Sequence, residues 1–134
     1  MANLSILDHK AWPAKAHPDL GVAKLCLRQN DFFDAAVYHT QQAAEKALKA
    51  FLVFHTGQVI KKHDLMFLVD KCTNIDFSFI QLQSYASGLN VYATYARYPD
   101  DNFVIDYEET TTACKKAAFI FDFVKDRLPI SNND

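Results

Sequence analysis

Apolar side chains recur at helical spacing along five segments of the chain. The clearest segment begins with Asn30 or Asp31 as its cap, and Gly57 supplies the stop. It spans about 26 residues, or roughly 39 Å at 1.5 Å per residue. Its apolar positions are Phe32, Ala36, Ala43, Ala47, Ala50 and Phe54. This spacing predicts a long helix with one face turned to the core.

Two shorter patterns flank this segment. The first follows Pro18, which suits the first turn of a helix, and it is broken at Gln29-Asn30. The other runs from His63-Asp64 to about Cys72, and Asp64 places negative charge at the positive end of the helix. We therefore expect a helix on each side of the central one, the second of them short.

The last two helices lie in the C-terminal half. One is predicted as continuous from about Phe77 to Ala96 and ended by Pro99. The other begins near Ile105 or Asp106 and carries acidic residues at its start and basic residues at its end. Its apolar positions lie on one face, with Phe119 and Phe123 adding a second face that is buried or forms a dimer contact.

Composition supports a helical protein. Only 3 of the 134 residues are glycine and 4 are proline, which leaves few turn formers for a many-stranded sheet. Hydrophobic residues make up 50% of the chain, enough for a core. The predicted fold is all-α, an antiparallel bundle of four long helices plus one short helix, in a single domain over residues 1–134 with its core at about 18–128.

Charge and cysteine usage limit the classes of function. The net charge of −2 argues against a generally basic nucleic-acid coat. The 3 cysteines are far apart and indicate buried thiols in a reducing cytoplasm. No signal peptide or membrane span is recognisable, and CxxC and HExxH motifs are missing. We expect a cytoplasmic protein with no cofactor and no metal site.

Three motifs together resemble one known family. The segment AVYHTQQAAEKALKA at residues 36–50 is similar to the second helix of HEPN domains (higher eukaryotes and prokaryotes nucleotide-binding). RYPD at 97–100 resembles the loop after the family's long fourth helix, and HDL at 63–65 lies between them, as it commonly does there. The resemblance covers most of the chain.

The resemblance implies a helical bundle that often forms homodimers, and one of three roles. Some family members are partners of minimal nucleotidyltransferases in two-gene toxin–antitoxin modules. Some are RNA-cutting toxins, and others bind nucleotides or act as interaction domains. The leading hypothesis is a non-catalytic module that dimerises and binds a nucleotide or a nucleotidyltransferase partner. The alternatives are a diverged metal-independent RNase toxin and a helical adaptor without a small ligand.

The RNase role implied by the resemblance requires a sequence feature that can be checked in this chain. Its active members resemble one another in an arginine followed by a histidine after four to six residues. None of Arg28, Arg97 and Arg127 has a histidine at that spacing. We therefore assign no catalytic residue. RNA cleavage by this chain requires Arg97 to meet His39 or His63 through the fold.

Two groups of residues are candidates for binding a nucleotide or partner. Arg97 can hold a phosphate, Tyr98 can stack on a base and Asp100 can orient the arginine. The alternative is structural, with Arg97 neutralising helix carbonyls and Pro99-Asp100 forming a turn. The second group lies at spacings of 3, 4 and 3 on the second helix and so shares one face: His39, Gln42, Lys46 and Lys49.

This second group also has a structural interpretation. The lysines favour a solvated helix face, with Glu45 and Lys49 paired one turn apart. His39 is equally consistent with a buried neutral imidazole that hydrogen-bonds across the bundle. His63 is expected to pack or hydrogen-bond over the loop. The tyrosines of the fourth helix favour aromatic packing over base stacking: Tyr85, Tyr92 and Tyr95.

Overall fold

The computed structural model describes residues 11–95 and 104–129, and every regular element in these ranges is a helix. In chain order they are α1 (Ala11–Gln29), α2 (Phe33–Thr56), α3 (Leu65–Ile75), a 3₁₀ helix (Phe77–Leu82), α4 (Gln83–Asn90), α5 (Tyr92–Tyr95) and α6 (Tyr107–Lys125). The predicted all-α bundle is confirmed. Among the described helices, none is both long and apolar enough to cross a membrane.

Helix α2 is the centre of the bundle. It packs against α1, α3, α4, α5 and α6, with its longest contact along α1. Alanines on its buried faces let the neighbouring helices approach closely, and larger side chains fill the remaining volume. Phe51 of α2 packs on Phe79 with ring centroids 4.3 Å apart, and Phe79 meets Phe123 of α6 edge to face at 5.0 Å. The core therefore runs through the bundle from α2 to α6.

The predicted boundaries of α2 are confirmed at one end. Gly57 adopts a left-handed φ of 72°, and its N–H donates to the Val53 carbonyl at 2.8 Å. The predicted side-chain cap at the other end is wrong. Phe32 precedes the helix in a left-handed conformation with φ 59°, and no side chain caps the first turn. Asp31 Oδ1 accepts from the Phe32 N–H at 2.7 Å instead, which holds the turn between α1 and α2.

Helix α1 begins earlier than its sequence pattern predicts. It starts at Ala11, and Pro18 lies inside it rather than in its first turn. Ala16 and Leu20 are buried in the main core on either side of this proline. Pro18 has no N–H, so the helix lacks one backbone hydrogen bond there. Packing of this face against the bundle stabilises the helix in spite of that loss. At its C-terminal end the expected break is confirmed, with Asn30 in a left-handed conformation.

The long fourth helix is predicted as continuous, and the structure corrects this. Residues 77–95 form a 3₁₀ helix, α4, a turn at Val91 and the short α5. Asp76 accepts from both the N–H and the hydroxyl of Ser78, which favours a tight first turn. The positions predicted to face the core are buried up to the turn: Phe79, Leu82, Ala86 and Leu89. Beyond it the predicted Ala93 is only partly buried and Tyr92 is buried instead, while the predicted Ala96 and Pro99 lie outside the described residues.

Helices α3 and α6 begin where the sequence predicts. The Asp64 carboxylate accepts from the N–H groups of Met66 and Phe67. Asp106 caps α6 by accepting from the Glu109 N–H at 2.8 Å. These acidic caps satisfy donors that the first helical turn leaves without partners.

Candidate functional site on helix α2

A buried carboxylate of α1 joins two of the predicted site residues. Asp19 Oδ1 lies 2.8 Å from His39 Nδ1, and Asp19 Oδ2 accepts from Lys46 Nζ at 2.7 Å. The Asp19 side chain is 9% exposed, whereas those of His39 and Lys46 are 32% and 28% exposed. Because an ionised carboxylate only accepts hydrogen bonds, Nδ1 of His39 carries a proton. Its Nε2 is then the nitrogen left for a ligand or a further proton.

A second carboxylate joins the next pair of residues along α2. Glu45 Oε2 lies 2.8 Å from His63 Nδ1 and 3.2 Å from Lys49 Nζ. The side chains of Glu45 and Lys49 are each 7% exposed, whereas that of His63 is 71% exposed. The predicted pairing of Glu45 with Lys49 is confirmed. The solvated interpretation is wrong for Lys49, whose buried ammonium lies 3.2 Å from Glu45 Oε2 and 3.4 Å from His63 Nδ1.

Gln42 lies between the two clusters and is half-buried. Its Nε2 donates to Oε1 of buried Gln41 at 2.7 Å, and Gln41 Nε2 donates to Glu45 Oε1 at 3.3 Å. A continuous polar stripe therefore runs from His39 to Lys49. At 1.5 Å rise per residue the stripe is about 15 Å long.

Sequence reasoning missed two of the residues that organise this stripe. Asp19 gave no signal, because its contact with His39 depends on the packing of α1 against α2. Glu45 was placed in a surface pair, although its carboxylate is buried and also holds His63. Two features of the sequence could have indicated that Glu45 is buried. It lies one helical turn from Lys49, and the neighbouring residues of α2 are largely apolar.

The other predicted group lies outside the described residues. Arg97, Tyr98 and Asp100 fall between the two described ranges, so the distance between Arg97 and His39 does too. Of the tyrosines, Tyr85 stacks on Phe119 with centroids 4.5 Å apart. Tyr92 is buried, and its hydroxyl donates to Glu109 at 2.7 Å. These contacts confirm aromatic packing for Tyr85 and a core position for Tyr92.

The cysteines do not add a reactive site. All three are free and buried, as predicted: Cys26, Cys72 and Cys114. Burial raises the pKa of the Cys114 thiol to about 11 and raises that of Cys72 further. Both are therefore protonated at neutral pH and are poor nucleophiles. Within residues 11–95 and 104–129, no group of three histidine, cysteine or acidic side chains could hold a metal ion.

The fold and the stripe define a class of protein, an α-helical bundle built around one central helix that carries a polar face. The family follows from comparison of the whole sequence. The profile of the HEPN domain matches residues 9–127, which is most of the chain. The chain belongs to the HEPN domain family.

Similar proteins include two with solved structures. TT1696 from Thermus thermophilus is 26% identical and superimposes with a TM-score of 0.75, covering 90% of this chain and 98% of that one. ST0689, described as an archaeal HEPN homologue, is 25% identical with a TM-score of 0.72, covering 89% of this chain and 96% of that one. Both likenesses extend over nearly the whole bundle.

A third relative is known by sequence. A Methanocaldococcus jannaschii protein named "Putative toxin MJ1304" is 43% identical over 54 residues. The alignment covers 40% of this chain and 34% of the relative. The chain thus spans about a third of that protein's length.

Proposed function

We propose that this chain is a non-catalytic HEPN module that dimerises and binds a nucleotide, a minimal nucleotidyltransferase partner, or both. The observation that carries the proposal is the polar stripe on α2. It presents partly exposed His39 and Lys46 beside half-buried Gln42, on a helix whose other faces are largely apolar and buried.

The chemistry of the stripe fits a nucleotide. Ammonium and imidazolium groups donate to phosphate oxygens, and a carboxamide can both donate to and accept from a base. The accessible part of the stripe, from His39 to Lys46, is roughly 10 Å long at 1.5 Å per residue, enough for a phosphate at one end and a base at the other. Burying ion pairs stabilises a fold no better than well-packed apolar side chains do. A binding role accounts for two such clusters on one helix face.

The residues of the RYPD motif belong to the same proposal. Arg97 would hold a phosphate, Tyr98 would stack on a ring and Asp100 would orient the arginine. We propose that these residues complete the site begun by the α2 stripe.

A calorimetric titration with ATP and GTP tests nucleotide binding. We expect saturable binding by the wild type and at least about tenfold weaker binding by Arg97→Ala and by Lys46→Gln, since a charge-assisted hydrogen bond contributes about 1.5–3 kcal/mol. Lys24→Gln is the matched control, because Lys24 is an exposed lysine on α1, away from the stripe. Circular dichroism checks that each variant folds.

Absence of binding by the wild type would contradict the nucleotide part of the proposal. Light scattering of the purified protein tests dimerisation, and a monomer across micromolar concentrations would contradict it. Co-expression with a nucleotidyltransferase encoded beside this gene tests the protein partner. Failure of the two to elute together would contradict that part.

A toxin is the second candidate function, favoured by two observations. The M. jannaschii relative carries that name, and the Asp19–His39 pair has the orientation that a proton-transferring histidine needs. Induced expression in cells would then arrest growth and degrade RNA, and His39→Gln would remove both effects. Harmless expression with intact RNA would eliminate this candidate.

A further inference from the structure

The two clusters on α2 share one composition, a carboxylate with one lysine and one histidine. Asp19 holds Lys46 and His39, and Glu45 holds Lys49 and His63. The two ammonium charges are therefore balanced by two carboxylate charges. With both imidazoles neutral, the stripe carries no net charge, so its attraction for a phosphate is limited to the hydrogen bonds that its groups donate.

Both histidines are placed to change that balance. Each has Nδ1 against a carboxylate oxygen at 2.8 Å, so Nε2 is the position that gains the second proton. Solvent reaches both rings, since the side chain of His39 is 32% exposed and that of His63 is 71% exposed. Imidazole is the side chain that ordinarily changes charge between pH 5 and 8.

The charged groups around each ring are of both signs. His39 faces the Asp19 carboxylate of α1, the Lys46 ammonium and, edge-on, the Tyr38 ring of α2, with Lys15 one turn before Asp19 on α1. The two charged groups nearest to the ring are thus one carboxylate and one ammonium.

His63 has a matching environment at the other end of the stripe. It faces Glu45 and Lys49 of α2, with Lys49 Nζ 3.4 Å from its Nδ1. Lys62 and Asp64 flank it in the connection to α3. An anion arriving at either ring favours the imidazolium and so favours uptake of a proton.

We propose that the α2 stripe binds the phosphate groups of a nucleotide together with protons, which are taken up at Nε2 of His39 and His63. This inference rests on the proposed nucleotide site and adds its regulation. It makes affinity for the nucleotide a function of pH. Binding is tightest where both imidazoles are charged and the stripe carries two net positive charges, and it weakens as they become neutral.

Calorimetry with ATP at pH 5.5, 6.5 and 8.0, at constant ionic strength, tests this coupling. Running pH 6.5 in two buffers of different ionisation enthalpy gives the number of protons taken up. ATP takes up protons of its own in this range, so the informative quantity is the difference between wild type and His39→Gln/His63→Gln. Glutamine keeps a donor for each carboxylate but cannot gain charge. His55→Gln is the control, because His55 lies on α2 outside the stripe and packs on Phe51.

We expect wild type to bind about tenfold more tightly than the double variant at pH 5.5, as about 1.4 kcal/mol of added attraction would give. The two should bind equally at pH 8.0, and His55→Gln should match wild type throughout.

A loss of affinity that is the same at all three pH values marks a structural role and overturns the inference. So does binding with equal proton uptake in wild type and double variant, although that result leaves the nucleotide site intact. No binding of ATP or GTP at any pH overturns the proposed function as well.

Discussion

The two carboxylate clusters on α2 have the same three kinds of group but differ in burial. In the Glu45 cluster the lysine side chain is 7% exposed, and in the Asp19 cluster it is 28% exposed. Glu45 and Lys49 lie one turn apart on one helix and hold the connection that carries His63, whereas Asp19 reaches Lys46 from a neighbouring helix. The comparison teaches that the surroundings, more than the residue type, decide whether a lysine of the stripe is buried in an ion pair or remains accessible to a ligand.

Removing the buried carboxylate gives the largest expected effect. Glu45→Ala leaves the Lys49 ammonium buried without its carboxylate partner. We expect the free energy of unfolding to fall by about 3–5 kcal/mol, the range for breaking a buried ion pair. Urea denaturation followed by circular dichroism measures the change.

The control for this variant removes both charges. Glu45→Ala/Lys49→Met should recover much of the lost stability, because an apolar pair has no desolvation cost. A loss below about 1 kcal/mol in the single variant would place Glu45 among ordinary surface pairs and remove the contrast between the clusters.

The half-exposed lysine gives a smaller effect. In Lys46→Met the Asp19 carboxylate keeps its contact with His39, and the lost ion pair is screened by solvent. We expect a fall of about 1–2 kcal/mol in unfolding free energy by the same denaturation experiment. Lys24→Met, at an exposed position on α1, should change stability by less than about 0.5 kcal/mol. A loss in Lys46→Met as large as that of Glu45→Ala would make the two clusters energetically alike.

Local sequence rules predicted the elements of this fold that depend on neighbouring residues. The stop at Gly57 and the acidic starts of α3 and α6 are all set within one or two turns of chain. The start of α1 and the break at Val91 were missed, because the pattern places Pro18 in a first turn and contains no breaking residue at Val91. Apolar spacing predicts the buried positions as far as Leu89 without predicting the backbone that presents them.

The candidate site divides in the same way. The shared face of His39 and Lys46 follows from helical spacing alone, and it was predicted. The role of Asp19 depends on a contact spanning 20 residues between two helices, which no single-sequence pattern contains. The burial of Lys49 was missed because the solvated interpretation rests on the average behaviour of lysine, and here Glu45 provides a partner.

Loosening the start of α3 tests one cluster without replacing Glu45, Lys49 or His63. Asp64→Ala removes the acceptor for the N–H groups of Met66 and Phe67, next to His63. We expect a loss of about 1 kcal/mol in unfolding free energy, typical of an N-cap. Asp64→Asn keeps a capping oxygen and should lose less stability.

Combining Asp64→Ala with Lys46→Met should give additive losses of stability, because the two sites share no partner. Clear non-additivity would show that the clusters act as one unit.

The smallest expected effect concerns Asp76, a half-exposed carboxylate outside the two clusters. It provides a comparison for the buried carboxylates Asp19 and Glu45. Hydrogen bonds from the Ser78 hydroxyl and N–H, and more weakly the charge of Arg127, lower the pKa of Asp76 below its ordinary value of 3.8. Folding therefore favours the ionised form. Its contribution to stability is complete above pH 3.8 and is lost as the pH falls through the lowered pKa.

Asp76→Asn keeps a capping oxygen but cannot titrate. The stability difference between wild type and this variant, measured by urea denaturation from pH 7 to 2.5, should shrink only at the acid end. A difference that stays constant over the whole range would mean that Asp76 acts as an uncharged cap.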